Sequence, residues 1–195
     1  MSRKSEKPSG ARKGKEEEDR LKGRELVNRG ARLLSAGKAT QAIPILERAH
    51  KLNRDDVSAA INLGGAYVMA GKQRLAVPIL EMARDMEPEN VMVWINLGAA
   101  YLDRPPYTTP EGEEKAIAAF TRALELDPKA VSVSYNLGLI YNDRGDIAQA
   151  LYHFEQAIEE NPADSHARLW RDRLIAEQQA GQREGETDKT DETSS

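Results

Sequence analysis

The 195-residue chain contains no cysteine. That absence removes a disulfide framework, a thiolate zinc site and a cysteine nucleophile together. Long apolar runs are missing too: no stretch approaches the roughly 20 residues that span a bilayer. The charged N-terminus has no apolar core of the kind a secretory signal needs. Secretion and membrane insertion are therefore disfavoured, and a cytoplasmic location is expected. Aromatic residues are scarce at 5%, against 39% hydrophobic residues overall. This balance suits one soluble domain with tails, not two large cores. The motifs of catalysis are lacking as well. His50, His153 and His166 lie on separate segments without metal-ligand spacing, and there is no P-loop, G-x-S-x-G or dinucleotide fingerprint. The pairs Glu17/Glu18 and Glu159/Glu160 read as solvated helix charge. No enzyme activity, cofactor or metal is expected.

What the chain does have is a recurring phrase. It reads Asn62-Leu63-Gly64-Gly65-Ala66-Tyr67, then Asn96-Leu97-Gly98-Ala99-Ala100-Tyr101, then Asn136-Leu137-Gly138-Leu139-Ile140-Tyr141. Gly30, Gly64 and Gly98 are spaced 34 apart, and an insertion displaces Gly138. Counting from the glycine, Ala76, Leu80, Ala83 and Pro88 match Ala150, Phe154, Ala157 and Pro162 at the same offsets. The third unit supplies Trp94, Leu97, Gly98 and Tyr101, then Ala116, Phe120, Ala123 and Pro128. A fixed period of this length predicts stacked antiparallel helical hairpins. Glycine inside a helix costs roughly 1 kcal/mol against alanine, so four in register imply a packing demand. The glycines are expected where the first helix of each unit meets Ala76, Ala116 or Ala150 of the second. Tyr67, Tyr101, Tyr141, Phe120 and Phe154 are expected to fill the space between hairpins. Pro88, Pro128 and Pro162 end the second helices.

The series W-x2-L-G-x2-Y, A-x3-F, P resembles the tetratricopeptide repeat (TPR) family. The resemblance implies an all-α, right-handed solenoid of four hairpins, at about 20–54, 55–88, 89–128 and 129–162, with a closing helix over 163–180. The first unit keeps Leu26, Gly30, Leu33, Ala42, Leu46 and Ala49 but has Arg29 and Arg54 where leucine and proline are expected. Such departures suit a terminal repeat with one side in water. In the closing helix, Ala163, Ala167, Trp170 and Leu174 share one face and read as core. Residues 1–19 and 181–195 read as charged, disordered tails. The acidic run Glu16 to Asp19 is expected at the N-terminus of the first helix, against its dipole. The insertion Pro105 to Gly112 falls where the other units turn tightly around Gly37, Gly71 and Gly145, and is expected to project as a stiff loop, which either carries contacts or is neutral.

In the TPR family the first helices line a concave groove that holds extended peptides or partner helices. By the family geometry Asn28, Asn62, Asn96 and Asn136 face that groove in a row, an arrangement similar to the asparagine ladder of a glycosyltransferase of the O-linked sugar class. An amide side chain offers a donor and an acceptor, which matches an extended backbone without demanding a sequence. The alternative is that asparagine is merely the common residue at this place. Val27, Ile61, Ile95 and Tyr135 precede the row, and Ala31, Gly65, Ala99 and Leu139 follow it, with Val68, Met69 and Leu102 deeper in the trough. The family's two-carboxylate clamp for chaperone tails is not matched, because Val27, Ala31, Met92 and Asn96 stand where it needs other residues, including its basic ones. A protein or peptide partner in the groove is the expected function. The alternative is nucleic-acid or anionic-surface association through the basic tail of Arg3, Lys4, Lys7, Arg12, Lys13 and Lys15. Self-association through an exposed hairpin face or the closing helix is a third possibility.

Overall fold

The computed structural model describes the backbone over residues 10–102 and 109–192 and the side chains over 14–102 and 109–180. Nine helices occupy the described residues: α1 Gly10–Ser35, α2 Ala39–Leu52, α3 Val57–Met69, α4 Gln73–Met86, α5 Val91–Tyr101, α6 Pro110–Leu126, α7 Val133–Asp143, α8 Ile147–Glu160 and α9 Ser165–Glu192. The fold is all-α, built of TPR-type hairpins. Two compact units part between Arg122 and Ala123, inside α6.

Local chemistry sets the helix ends. Gly37, Gly71 and Gly145 adopt φ of 70°, 69° and 76°. This left-handed conformation lets the chain fold back and satisfy the last carbonyls of the helix. At the second of these turns Gly71 N–H donates to Val68 O at 2.9 Å and Lys72 N–H to Tyr67 O at 2.8 Å. Helices α4, α6 and α8 each stop two residues before Pro88, Pro128 and Pro162. Asp56 caps α3 and Asn90 caps α5, accepting from Ala59 N–H at 3.1 Å and Met92 N–H at 3.1 Å. The same place before α7 is held by Ala130, which has no side chain to cap with. There the helix starts later, at Val133, after Ser132 in a left-handed conformation at φ 66°.

In the first unit α2 lies against α1 and α3, and α4 against α3 and α5, while α1, α3 and α5 pack side by side. Leu46, Leu63, Leu80, Val93 and Leu97 are fully buried among them. In the second unit α8 packs on α7 and α9 around Phe154, Ala150, Ala157, Ala167 and Leu174.

Several expectations need correction. The marker glycines do not have the alanines of the second helix as their nearest neighbours. They sit under the residue four positions later, where a methyl at Gly30 or Gly64 would lie 2.3 Å from Leu46 or 2.4 Å from Leu80. At Gly98 and Gly138 it would lie 2.5 Å from Phe120 and 2.7 Å from Phe154. The two phenylalanines thus fill a notch inside their own hairpin, and Phe154 also reaches the following helix, where it stacks on Trp170. Helix α1 starts at Gly10, not near residue 20, so the acidic run Glu16 to Asp19 falls inside it and has no special relation to its dipole. Helix α9 runs to Glu192, beyond the expected end near 180. Extending a helix already fixed by packing avoids the cost of nucleation, so low apolar content does not stop it. Pro110 to Gly112 belong to α6, with Thr109 Oγ1 accepting from Gly112 N–H at 3.1 Å and Pro110 in the first helical position, where its missing N–H costs nothing. The rest of the insertion, Pro105 to Thr108, and the tail from Met1 to Ser9 lie outside the described residues. Ala163 is exposed ahead of α9, while Ala167 and Leu174 are buried and Trp170 half-buried.

Candidate functional site

Three of the four asparagines belong to the first unit, at one register on α1, α3 and α5. Asn28 is exposed, and Asn62 and Asn96 are half-buried. Asn62 Nδ2 donates to Ser58 O at 2.8 Å, one turn back in its own helix. Only the nitrogen of the amide can serve a carbonyl, so this bond commits Nδ2 and leaves Oδ1 to accept. The amide of Asn96 lies over the neighbouring helix, where a methyl on Gly65 would meet its Oδ1 at 3.6 Å. That is ordinary contact, so internal packing does not require glycine at 65. In the second unit Asn136 repeats the bond of Asn62, with Nδ2 donating to Ser132 O at 2.8 Å.

Around the row, Ile61 and Val68 are half-buried against the first unit's core, and Ile95, Gly65, Ala31, Ala99 and Leu102 are half-buried. Met69 and Met92 are exposed, at 55% and 51%. Tyr135 and Leu139 pack against the core of the second unit. Val27 is corrected: it is buried with Ala49 and Ala59 and lines no surface. Its side chain turns inward because α1 presents that face to α2 and α3. Of the basic tail, Lys15 is exposed, the side chains of Arg12 and Lys13 lie outside the described ones, and Arg3, Lys4 and Lys7 lie outside the described residues.

Two features escaped the sequence reading. Tyr67 Oη donates to Glu47 Oε1 at 2.6 Å, and Tyr101 Oη to Glu81 Oε1 at 2.9 Å, each tying a first helix to the second helix of the hairpin before it. Burial, reinforced by the carboxylate partner, pushes both phenols up to about 12. The constant offset of 20 between tyrosine and glutamate was the available signal. The other feature is a cleft of about 560 Å³ on the open side of the first hairpin, lined by Glu25, Arg29, Arg32, Leu33, Gln41 and Ile45. In the next hairpin the places of Glu25, Arg29 and Arg32 hold Ala59, Leu63 and Ala66, all buried. Charge at these three places makes the first hairpin a water-facing end to the stack.

Among the described residues no group of histidine and carboxylate side chains could hold a metal, and no helix is long and apolar enough to cross a membrane. The architecture defines a helical-hairpin repeat protein. The tetratricopeptide repeat family matches residues 27–86 and 114–181, more than half of the chain, and the chain belongs to that family. No curated protein matches it. Among solved structures, MamA AMB-1 is 30% identical, with 70% of this chain and 76% of that one covered and a TM-score of 0.54. The MamA segment from residue 41 onward of Desulfovibrio magneticus is 24% identical, with coverage of 73% and 77% and a TM-score of 0.59. The fold is also that of Pseudomonas aeruginosa PilF, at 22% identity, coverage of 85% and 71% and a TM-score of 0.68.

Proposed function

We propose that this chain is a non-enzymatic, cytoplasmic protein-interaction module that holds a peptide segment or helix of a partner protein against the first helices of its hairpins. Repeat arrays of this kind use extended surfaces built from successive repeats for binding. The observation that carries the reading is the asparagine row beside apolar side chains. Asn62, its Nδ2 committed to Ser58 O, offers Oδ1 as an acceptor, and the Asn96 amide lies across Gly65 on the neighbouring helix. Ile61, Ile95, Val68 and Leu102 supply half-buried apolar surface for a partner's side chains, and the exposed Met69 and Met92 adapt to their shape.

The test is capture of partners from the native cytoplasm by three proteins: the full chain, the chain without residues 1–15, and the chain with Asn62, Asn96 and Asn136 replaced by alanine. A protein held by the first two and lost by the third supports the reading. Nucleic acid held by the full chain and lost with the tail would replace it with the tail-tether alternative, and that binding would fall steeply with salt.

A further inference from the structure

Charge is spread unevenly over the first unit. Of the whole chain 31% is Asp, Glu, Lys or Arg, yet the 13 residues of α3 and the 11 of α5 include none. Burial alone does not explain this. Helix α4 packs against both of them and buries Ala76, Leu80 and Ala83, but among its exposed and half-buried residues it keeps Arg74, Glu81, Arg84 and Asp85. Helices α3 and α5 have water-facing places too. Ser58, Met69 and Met92 are exposed, and Asn62, Val68 and Asn96 are half-buried. Each of these places holds an uncharged side chain.

The charge-free surface has an edge. Arg24 on α1, Ser58 on α3 and Met92 on α5 are all exposed and follow one another at intervals of 34 residues, and only the first is charged. The uncharged floor is therefore the one that α3 and α5 form side by side. Packed helices stand about 8–10 Å apart, so the two present a strip on the order of 20 Å across, which about six residues of extended chain cross. A charged side chain laid on this floor would lose its water and meet no opposite charge. Apolar side chains escape that cost, while Oδ1 of Asn62 and the amide of Asn96 can serve a partner's backbone.

We propose that the occupant of the groove is an uncharged, apolar segment of another protein, with about six consecutive residues free of Asp, Glu, Lys and Arg lying across α3 and α5. The absence of charge from the floor selects against other segments, because any charge they carry there would be left unpaired. This chain's own ends do not fit. Within residues 1–13 no uncharged run exceeds four residues, and within 181–195 none exceeds three. Neither tail, from the same chain or a second copy, meets the requirement. The inference rests on the groove reading and adds the chemistry of what the groove holds.

The experiment selects binders from a displayed library of random dodecapeptides, on the full chain and on the pair Asn62→Ala with Asn96→Ala. Enriched peptides are expected to share a stretch of about six uncharged residues and to be lost on the asparagine pair. Calorimetry with one enriched peptide then compares the full chain with Ser58→Lys and Met92→Lys, each checked for an unchanged melting curve. Both substitutions are at exposed places and should weaken binding about tenfold or more, as should either Lys or Asp placed in the middle of the peptide. The same residues at the ends of the peptide should change Kd by less than about twofold. Peptides that need the asparagines but carry charge through the stretch, or binding that tolerates a central Lys or Asp, would overturn the inference and leave the groove reading standing. Enrichment indifferent to the asparagine pair and to both lysine substitutions, or no enrichment at all, would overturn both.

Discussion

The second and fourth hairpins, α3/α4 and α7/α8, follow one register yet are built differently, each within its own unit. In α3/α4 the notch over Gly64 is filled by Leu80, the tyrosine Tyr67 is tied to Glu47, and Asp56 caps the first helix. In α7/α8 the notch over Gly138 is filled by Phe154, and Tyr141 lies parallel to the ring of His153 at 5.3 Å. The cap is gone, Ser132 is held left-handed, and Val131 is 77% exposed. A repeat fixes where large, small and aromatic side chains go, but not what holds each one. The second hairpin uses a tyrosine–glutamate tie and a capped first helix, whereas the fourth combines stacked rings with a half-buried bond from Ser134 Oγ to Glu160 Oε1 at 2.6 Å.

The largest expected effect probes the notch. Gly64→Leu and Gly138→Leu should each overpack and cost about 1 to 3 kcal/mol in urea unfolding. The cost should be greater at Gly138, because Phe154 is held between Tyr135 and Trp170 whereas the branches of Leu80 can rotate. Equal costs would show that ring confinement does not matter. Next come the helix starts. Asp56→Ala should lose about 1 kcal/mol of stability with its cap, whereas Ser132→Gly should gain up to about 1 kcal/mol by relieving a left-handed residue. A loss at Ser132→Gly would contradict the strain at that turn. Tyr67→Phe removes a bond to an exposed carboxylate and should cost about 0.5 to 1.5 kcal/mol. Tyr141 donates no such bond, so Tyr141→Phe should melt like the parent chain.

The smallest effect is in pH. Burial lowers the pKa of His153 from its ordinary 6.5, and Nδ1 is buried without a partner. The unfolded chain therefore takes up a proton before the folded one does. The stabilising contribution is complete above about 6.5 and is lost as pH falls from there toward the folded value. His50 shifts the same way, through burial and then the nearby Arg54. His153→Phe should keep the ring stack and flatten melting temperature against pH in the mildly acid range, leaving the slope that His50 contributes. An unchanged slope would mean that the ring is protonated as readily in the folded chain.

Much of the fold was legible because glycine, alanine and proline act locally. The left-handed turns at Gly37, Gly71 and Gly145 and the stops before Pro88, Pro128 and Pro162 follow from backbone sterics alone. The asparagine row was legible as spacing, but the bond from Asn62 to Ser58 was not, since it depends on a rotamer. The burial of Val27 was hidden for a different reason: a helix position one step from the row turns through about 100° and enters the core. Neither the phenylalanines over Gly98 and Gly138 nor the ring row of Tyr135, Phe154 and Trp170 has a signature in period alone.

The sequence by itself determined the repeat, its hairpins and the family, because period and punctuation are written along the chain. Only the tertiary structure decided which side chain fills each glycine notch, which tyrosine finds a carboxylate, and which charges mark the open end of the first hairpin. Those outcomes depend on distances between segments remote in sequence, and a few tenths of an ångström in a close-packed interior separates contact from clash.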